Sequence, residues 1–149
     1  MIYFIIVASI IVGDNLLKEY FKSTFQGKHR EKYFEKAARI ELLENKGAAS
    51  GILSAHPKLL KGISAVMLCV CAFALGKEQK KGKATIAGIS YALILGGGLS
   101  NFIDRVKKGS VTDYIRFPKF PIKKIRNLVF NLSDFSIFAG VFCLLFRRK

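Results

Sequence analysis

The sequence predicts an all-α membrane protein with four transmembrane helices in a single domain, residues 1–149, and two observations carry that prediction. The 149 residues hold 25 Lys and Arg against 10 Asp and Glu, a net charge of +15, yet 51% of them are hydrophobic and the mean hydropathy is +0.29. Both figures hold only if charged and apolar residues are segregated along the chain. They are: residues 1–17, 62–76, 84–103 and 127–146 together contain 2 of the 35 charged side chains, Asp14 and Asp134. A disordered basic tail would lack such apolar runs, and helices of an ordinary soluble bundle would keep a polar face.

The lengths of the runs set the spans at about 1–17, 59–76, 84–103 and 127–146. A bilayer core of roughly 30 Å needs about 20 helical residues, fewer where flanking cations snorkel. The first run has no basic leader and ends near a carboxylate, so it does not read as a cleaved export signal. The second is short, but Leu59 and Leu60 extend it, and Lys58, Lys61 and Lys77 can reach outward from its ends. Between the first two spans, Lys28–Arg39 reads as a surface helix or interfacial segment, followed by a turn-rich patch, Asn45–Gly51. Lys77–Lys83 is a tight basic turn. The third connection holds Gly109, Pro118 and Pro121, which oppose a continuous helix, and Val111–Phe117 reads as a short strand. Cys69, Cys71 and Cys143 lie in apolar runs and read as small hydrophobes. His29 and His56 are isolated in polar connections, so no metal site is expected.

With four spans, Asp14, Asn45, Asn101, Asp104, Arg105, Asp113, Asn131 and Asp134 all map to one face of the membrane. An ionisable residue within a span is costly and points to function. Asp134 is the sharpest case, placed about two turns into the fourth span with Asn131 one turn before it. A helix N-terminal carboxylate, or a structural partner for Arg105, are the plainer readings. Paired with Asp113, it suggests more. Two carboxylates near a low-dielectric boundary share one proton, so one can accept a proton from water while the other donates to a carbonyl oxygen. No Ser/His or Cys/His set offers a competing nucleophile.

At these residues the chain resembles the lipoprotein signal peptidase (signal peptidase II) family. The family's Asp-Gln-x-x-Lys stands here as Asp14-Asn15-Leu16-Leu17-Lys18, and its Asn-x-Gly-Ala-Ala-Phe as Asn45-Lys46-Gly47-Ala48-Ala49-Ser50. Its Gly-Gly-Ala-x-Gly-Asn-x-x-Asp-Arg and Gly-x-Val-x-Asp-Phe stand as Gly96 through Arg105 and Gly109 through Tyr114. Its Phe-Asn-x-Ala-Asp stands as Phe130-Asn131-Leu132-Ser133-Asp134. The resemblance runs the length of the chain in order. It implies that Asp113 and Asp134 are the catalytic dyad, with Asp14, Lys18, Asn45, Gly47, Asn101, Asp104, Arg105 and Asn131 binding substrate or supporting the dyad. It also implies a small extracytoplasmic β-containing cradle with a loop or interfacial helix over the site. The implied reaction cuts a prolipoprotein just before its diacylglyceryl-modified cysteine, with no cofactor and no metal. The implied setting is the bacterial cytoplasmic membrane, as a monomer, with both termini cytoplasmic and the active site outside.

Four positions depart from the motifs: Ser50 for Phe, Gly98 for Ala, Ser100 for Gly and Ser133 for Ala. They permit a second reading, a non-catalytic scaffold that binds lipid or lipopeptide, although both dyad positions are kept. A small ion pathway is a third, weakened because the acids sit at one face. Counted raw, the connections on the expected outer face hold 18 basic residues against 7 on the other, opposite to the positive-inside rule. Long connections weaken that rule, and the excess charge suits anionic head groups. No aromatic-basic motif supports nucleic-acid binding despite a pI near 10.

Overall fold

The computed structural model describes residues 1–25, 33–34, 38–47 and 53–146. Three long helices, α1 (Ile2–Phe25), α2 (Pro57–Gln79) and α3 (Ile86–Lys107), are joined by a shorter one, α5 (Leu132–Leu145). A single turn, α4, spans Lys123–Arg126. An antiparallel sheet runs in the order β1 (Tyr33–Phe34), β2 (Ala38–Asn45), β3 (Val111–Arg116), β4 (Val129–Phe130), with an irregularity in β2 between Ile40 and Leu43. The sheet packs on the end of α1, where Phe21 stacks on Tyr114 at 4.5 Å and Lys22 pairs with Glu44.

The third helix is the hub, touching α1, α2 and α5. Its Gly96-Gly97-Gly98 run explains how. Successive residues turn about 100° around a helix, so three consecutive glycines face three neighbours. A Cβ on Gly96 would stand 3.0 Å from Ile10 of α1, and one on Gly98 would stand 2.8 Å from Leu68 of α2. One on Gly97 would overlap the Ser133 carbonyl of α5. From the other side, a Cβ on Gly140 would come within 2.7 Å of the Ser90 carbonyl. Small residues at each crossing let the backbones approach closely, the packing available to helices in an apolar solvent.

What the helices bury is inverted relative to a soluble bundle. The fully buried side chains include Asp14, Lys18, Ser100, Asp104 and Asn131, while Val66, Met67, Val70 and Phe73 of α2 and Phe142 of α5 are exposed. Helices α2 and α3 are long and apolar enough to cross a membrane. At the end away from the sheet, Thr85 caps α3 by accepting from the Gly88 N–H, donates to Glu78 Oε2 at 2.6 Å, and gives its own N–H to the Tyr3 hydroxyl. One threonine thereby ties together α1, α2 and α3.

Three expectations need correction. Tyr33–Phe34 and Ala38–Arg39 are strand, not part of a surface helix, because they pair with each other and, through Arg39, with Arg116 of β3. The rest of Lys28–Arg39 lies outside the described residues, as does Ser50. The fourth apolar run is not one helix from residue 127: Val129 and Phe130 pair with Arg116 and Ile115, and the helix starts only at Leu132. Consequently Asp134 lies in the first turn of α5, not two turns in. The expected strand at Val111–Phe117 is β3.

Candidate active site

The start of α5 is built around Asn131. Its backbone is extended and its Oδ1 accepts the Asp134 N–H at 2.9 Å, while Asp134 Oδ2 accepts the Asn131 N–H at 3.1 Å. This reciprocal cap satisfies two of the free donors at a helix start. It also locks the Asp134 carboxylate against the helix N-terminus, where negative charge is favoured. The Asn131 amide then has two N–H groups left. One donates to Asp113 Oδ1 at 2.6 Å, the other to Asn101 Oδ1 at 3.2 Å. Asn131 therefore bonds both acids of the expected dyad, the Asp113 carboxylate through its side chain and the Asp134 carboxylate through its backbone N–H.

Asp113 comes from β3, where strand alternation could turn it either way; pairing with Leu43 of β2 fixes its place. Its second oxygen accepts from Asn45 Nδ2 at 3.0 Å, and Asn45 is oriented by the Gly47 N–H on its Oδ1. Burial, with Asp134 nearby as a second push, drives the Asp113 carboxyl up to about 7, although donors from Asn45 and Asn131 and the charge of Lys18 pull against it. Next to it in sequence, the buried Tyr114 hydroxyl accepts the Leu132 N–H at 2.9 Å, a third anchor for the first turn of α5. Burial holds that phenol well above the usual tyrosine range, so it stays neutral.

Behind Asp134 lies a buried ionic cluster. Lys18 Nζ meets Asp14 Oδ2 at 2.6 Å, Asp104 Oδ2 at 2.8 Å and Asn101 Oδ1 at 3.2 Å. The contacts with Asp14 and Asp104 are ion pairs, and the hydrogen bond of Lys18 goes to Asn101. Because a lysine only donates, Lys18 fixes which end of the Asn101 amide faces it. The Asn101 Nδ2 is left to donate to Asp134 Oδ1 at 3.0 Å. Arg105, one turn beyond Asn101 on α3, gives an Nη2 bond to the Gly47 carbonyl at 3.1 Å.

These groups line a cleft of about 650 Å³ between the sheet and the helices. Asp113, Asp134, Asn45, Asn101 and Arg105 form its polar wall, and Leu43, Val111, Leu128, Val129, Phe130 and Phe138 its apolar one. All ten residues singled out in the sequence are brought into this one region. Asp14, Lys18, Asp104 and Asn131 stand behind the cleft wall, not in it. Two participants were not among the ten. Ser100 and Ser133 both donate to Asp14 Oδ2 at 2.6 Å; their signal in the sequence was only that they depart from the motifs. Among the described residues, no three His, Cys, Asp or Glu side chains gather as a metal site.

A helical membrane fold with two carboxylates at the mouth of a half-apolar cleft has the equipment of a hydrolase working beside a lipid phase. Residues 6–148 match the family described as signal peptidase (SPase) II. The chain is similar to the lipoprotein signal peptidases of Halothermothrix orenii, 30% identical over 97% of this chain and 92% of that protein, and of Caldicellulosiruptor bescii, 29% identical over 98% and 89%. It superposes on a bacterial membrane enzyme solved in meso at 2.3 Å with a TM-score of 0.80, at 26% identity over 96% of this chain and 84% of that one. A second such structure, at 1.9 Å, gives 0.78 at the same identity, over 96% of this chain and 89% of that one. The chain belongs to the signal peptidase II family and shares its function, proteolytic removal of signal peptides from prolipoproteins.

Proposed function

We propose that this protein is an aspartic endopeptidase in which Asp113 and Asp134 divide the work of one hydrolysis, cutting a prolipoprotein before its lipid-bearing cysteine. The observation that carries this is Asn131, whose side-chain amide holds Asp113 and whose backbone N–H holds Asp134, with both acids lining one cleft. Asn131 donates to one carboxylate from its side chain and to the other from its backbone without adding positive charge, so one proton is shared between them. Burial pushes Asp113 up to about 7, which suits it to hold the shared proton, and on this reading it is the acid and Asp134 the base. Asp134 takes a proton from water as the water oxygen bonds to the scissile carbonyl carbon, and Asp113 gives its proton to the carbonyl oxygen. As the tetrahedral intermediate collapses, the C–N bond breaks and the Asp134 proton passes to the departing amine. Asp113 recovers its proton as the carbonyl re-forms.

The apolar wall of the cleft suits the acyl chains of a diacylglyceryl cysteine. The wider reading has α1, α2, α3 and α5 all spanning the membrane. It is supported by the outward apolar side chains of each, such as Ile5, Val66, Ile86 and Phe142. In that arrangement both termini are cytoplasmic and the cleft opens outside, and a monomer suffices because one chain supplies every site residue. The test is a gel-shift assay in lipid, with a precursor carrying or lacking the diacylglyceryl group, for wild type, Asp113→Asn and Asp134→Asn. Cleavage confined to the lipidated precursor and lost in both variants is the expected result. Near-normal turnover by either folded variant would show that the dyad is misassigned.

A further inference from the structure

Asp14 is fully buried, and the way it is held bears on the reacting groups. Its Oδ2 accepts from Ser100 Oγ and Ser133 Oγ, each at 2.6 Å, and lies in ion-pair contact with Lys18 Nζ at the same distance. Its Oδ1 accepts the Ser133 N–H at 3.3 Å. The three elements involved, α1, α3 and α5, are the three that carry Lys18, Asn101 and Asp134. Both serines are fully buried and neither lines the cleft.

We infer that Ser100 and Ser133 are positioning residues for the aspartate pair, holding Asp14 so that Lys18 keeps the Asn101 amide turned onto Asp134. The inference rests on the aspartic-peptidase reading above. Lys18 stands in ion-pair contact with Asp14 and Asp104 and makes one hydrogen bond, the longest of the three contacts at 3.2 Å, to Asn101. Charged acceptors hold an ammonium more strongly than a neutral amide does. Take the hydroxyls away and Asp14 keeps only Lys18 and one backbone N–H. Lys18 is then drawn toward the under-satisfied carboxylate and away from Asn101. The Asn101 amide loses the partner that fixes its orientation, and Asp134 Oδ1 loses its oriented donor. The resembled motifs carry Gly and Ala at these two positions, so the hydroxyls are a feature of this chain, and small side chains fit both places.

The test uses the full-length enzyme in lipid, with a diacylglyceryl precursor as substrate. Ser100→Ala, Ser133→Ala and the double variant are compared with wild type, and again in an Asp14→Asn background. The double variant should lose about tenfold in kcat, as expected for one oriented donor to a charged group, with KM unchanged. In the Asp14→Asn background the same double substitution should have no further effect on kcat. Should Asp14→Asn fail to fold, the split between kcat and KM decides alone. An unchanged kcat, even with a lowered melting temperature, would make the serines structural and overturn the inference. So would a rise in KM with kcat constant, which would place the effect in the cleft. A wild type that fails to cut the lipidated precursor is a different failure: it would sink the peptidase reading itself, and the inference with it.

Discussion

Two pairs of carboxylates lie in one connected network, and what stands between the members of each pair differs. Between Asp14 and Asp104 is Lys18, which meets both within 2.8 Å; between Asp113 and Asp134 is Asn131, which donates to each. A buried cation supplies charge compensation at contact distance to the carboxylates on either side of it. A neutral amide supplies hydrogen bonds but no charge, which under the proposed mechanism leaves the second pair a proton to move. On that reading the same residue type is structural on one side of Asn101 and reactive on the other. Asn101 joins the two, accepting from Lys18 and donating to Asp134.

The largest effect tests the reactive pair. Asp113→Asn and Asp134→Asn should each lower turnover on the order of a thousandfold or more, measured on the lipidated precursor, while the proteins still elute as folded species. The structural pair should respond in the opposite manner. Lys18→Met leaves Asp14 buried without its cation and Asp104 with only Lys108, 3.3 Å away, and breaking such a cluster destabilises by about 3–5 kcal/mol. Thermal unfolding followed by circular dichroism in detergent should therefore show Lys18→Met melting well below either Asn variant. If it melted beside wild type, the lysine would not be the charge balance of that cluster. Asn131→Ala should fall between these extremes. Losing the cap costs about 1–2 kcal/mol, and the lost donor to Asp113 should reduce kcat in the same protein.

Much of this contrast was legible in the sequence, and the parts that were not have physical causes. The apolar runs located α2 and α3, because a long stretch without charge in either has no alternative but to be a buried or lipid-facing helix. The extent of α1 was not legible: hydropathy stops at Leu17, but the helix continues to Phe25 because Lys18 turns inward and Phe21 stacks on the sheet. The same blindness to pairing hid β1, β2 and β4. Tyr33–Phe34 sits in a charged, helix-like stretch, and Val129–Phe130 in an apolar one; only their partners make them strands. Asp134 stood out because a carboxylate inside an apolar run is rare, whereas Asp113 was singled out only by pairing it with Asp134 and by the resemblance. Ser100 and Ser133 passed as small residues at helix crossings, since nothing local says that two hydroxyls 33 positions apart meet one aspartate.

The smallest predicted effect is also the finest probe of the proton on the reactive pair. Asp113 has its carboxyl raised from an ordinary 3.8 to about 7, chiefly by burial and then by Asp134. Its folded value lies above its unfolded one, so the native state holds the proton over a window where the unfolded chain has lost it. Stability should accordingly fall as pH rises from about 4 to about 7 and then level off. The melting temperature of Asp113→Asn relative to wild type should climb across the same window, whatever its offset at pH 4. Turnover that needs the protonated acid should decline above about pH 7. Asn45 donates to the ionised form of Asp113, so Asn45→Ala removes a term that favours ionisation. The alkaline limb of the kcat profile should then move to higher pH, by roughly one unit or less. A limb that moved to lower pH, or that was unaltered while kcat fell, would mean that Asn45 positions substrate and does not tune the acid.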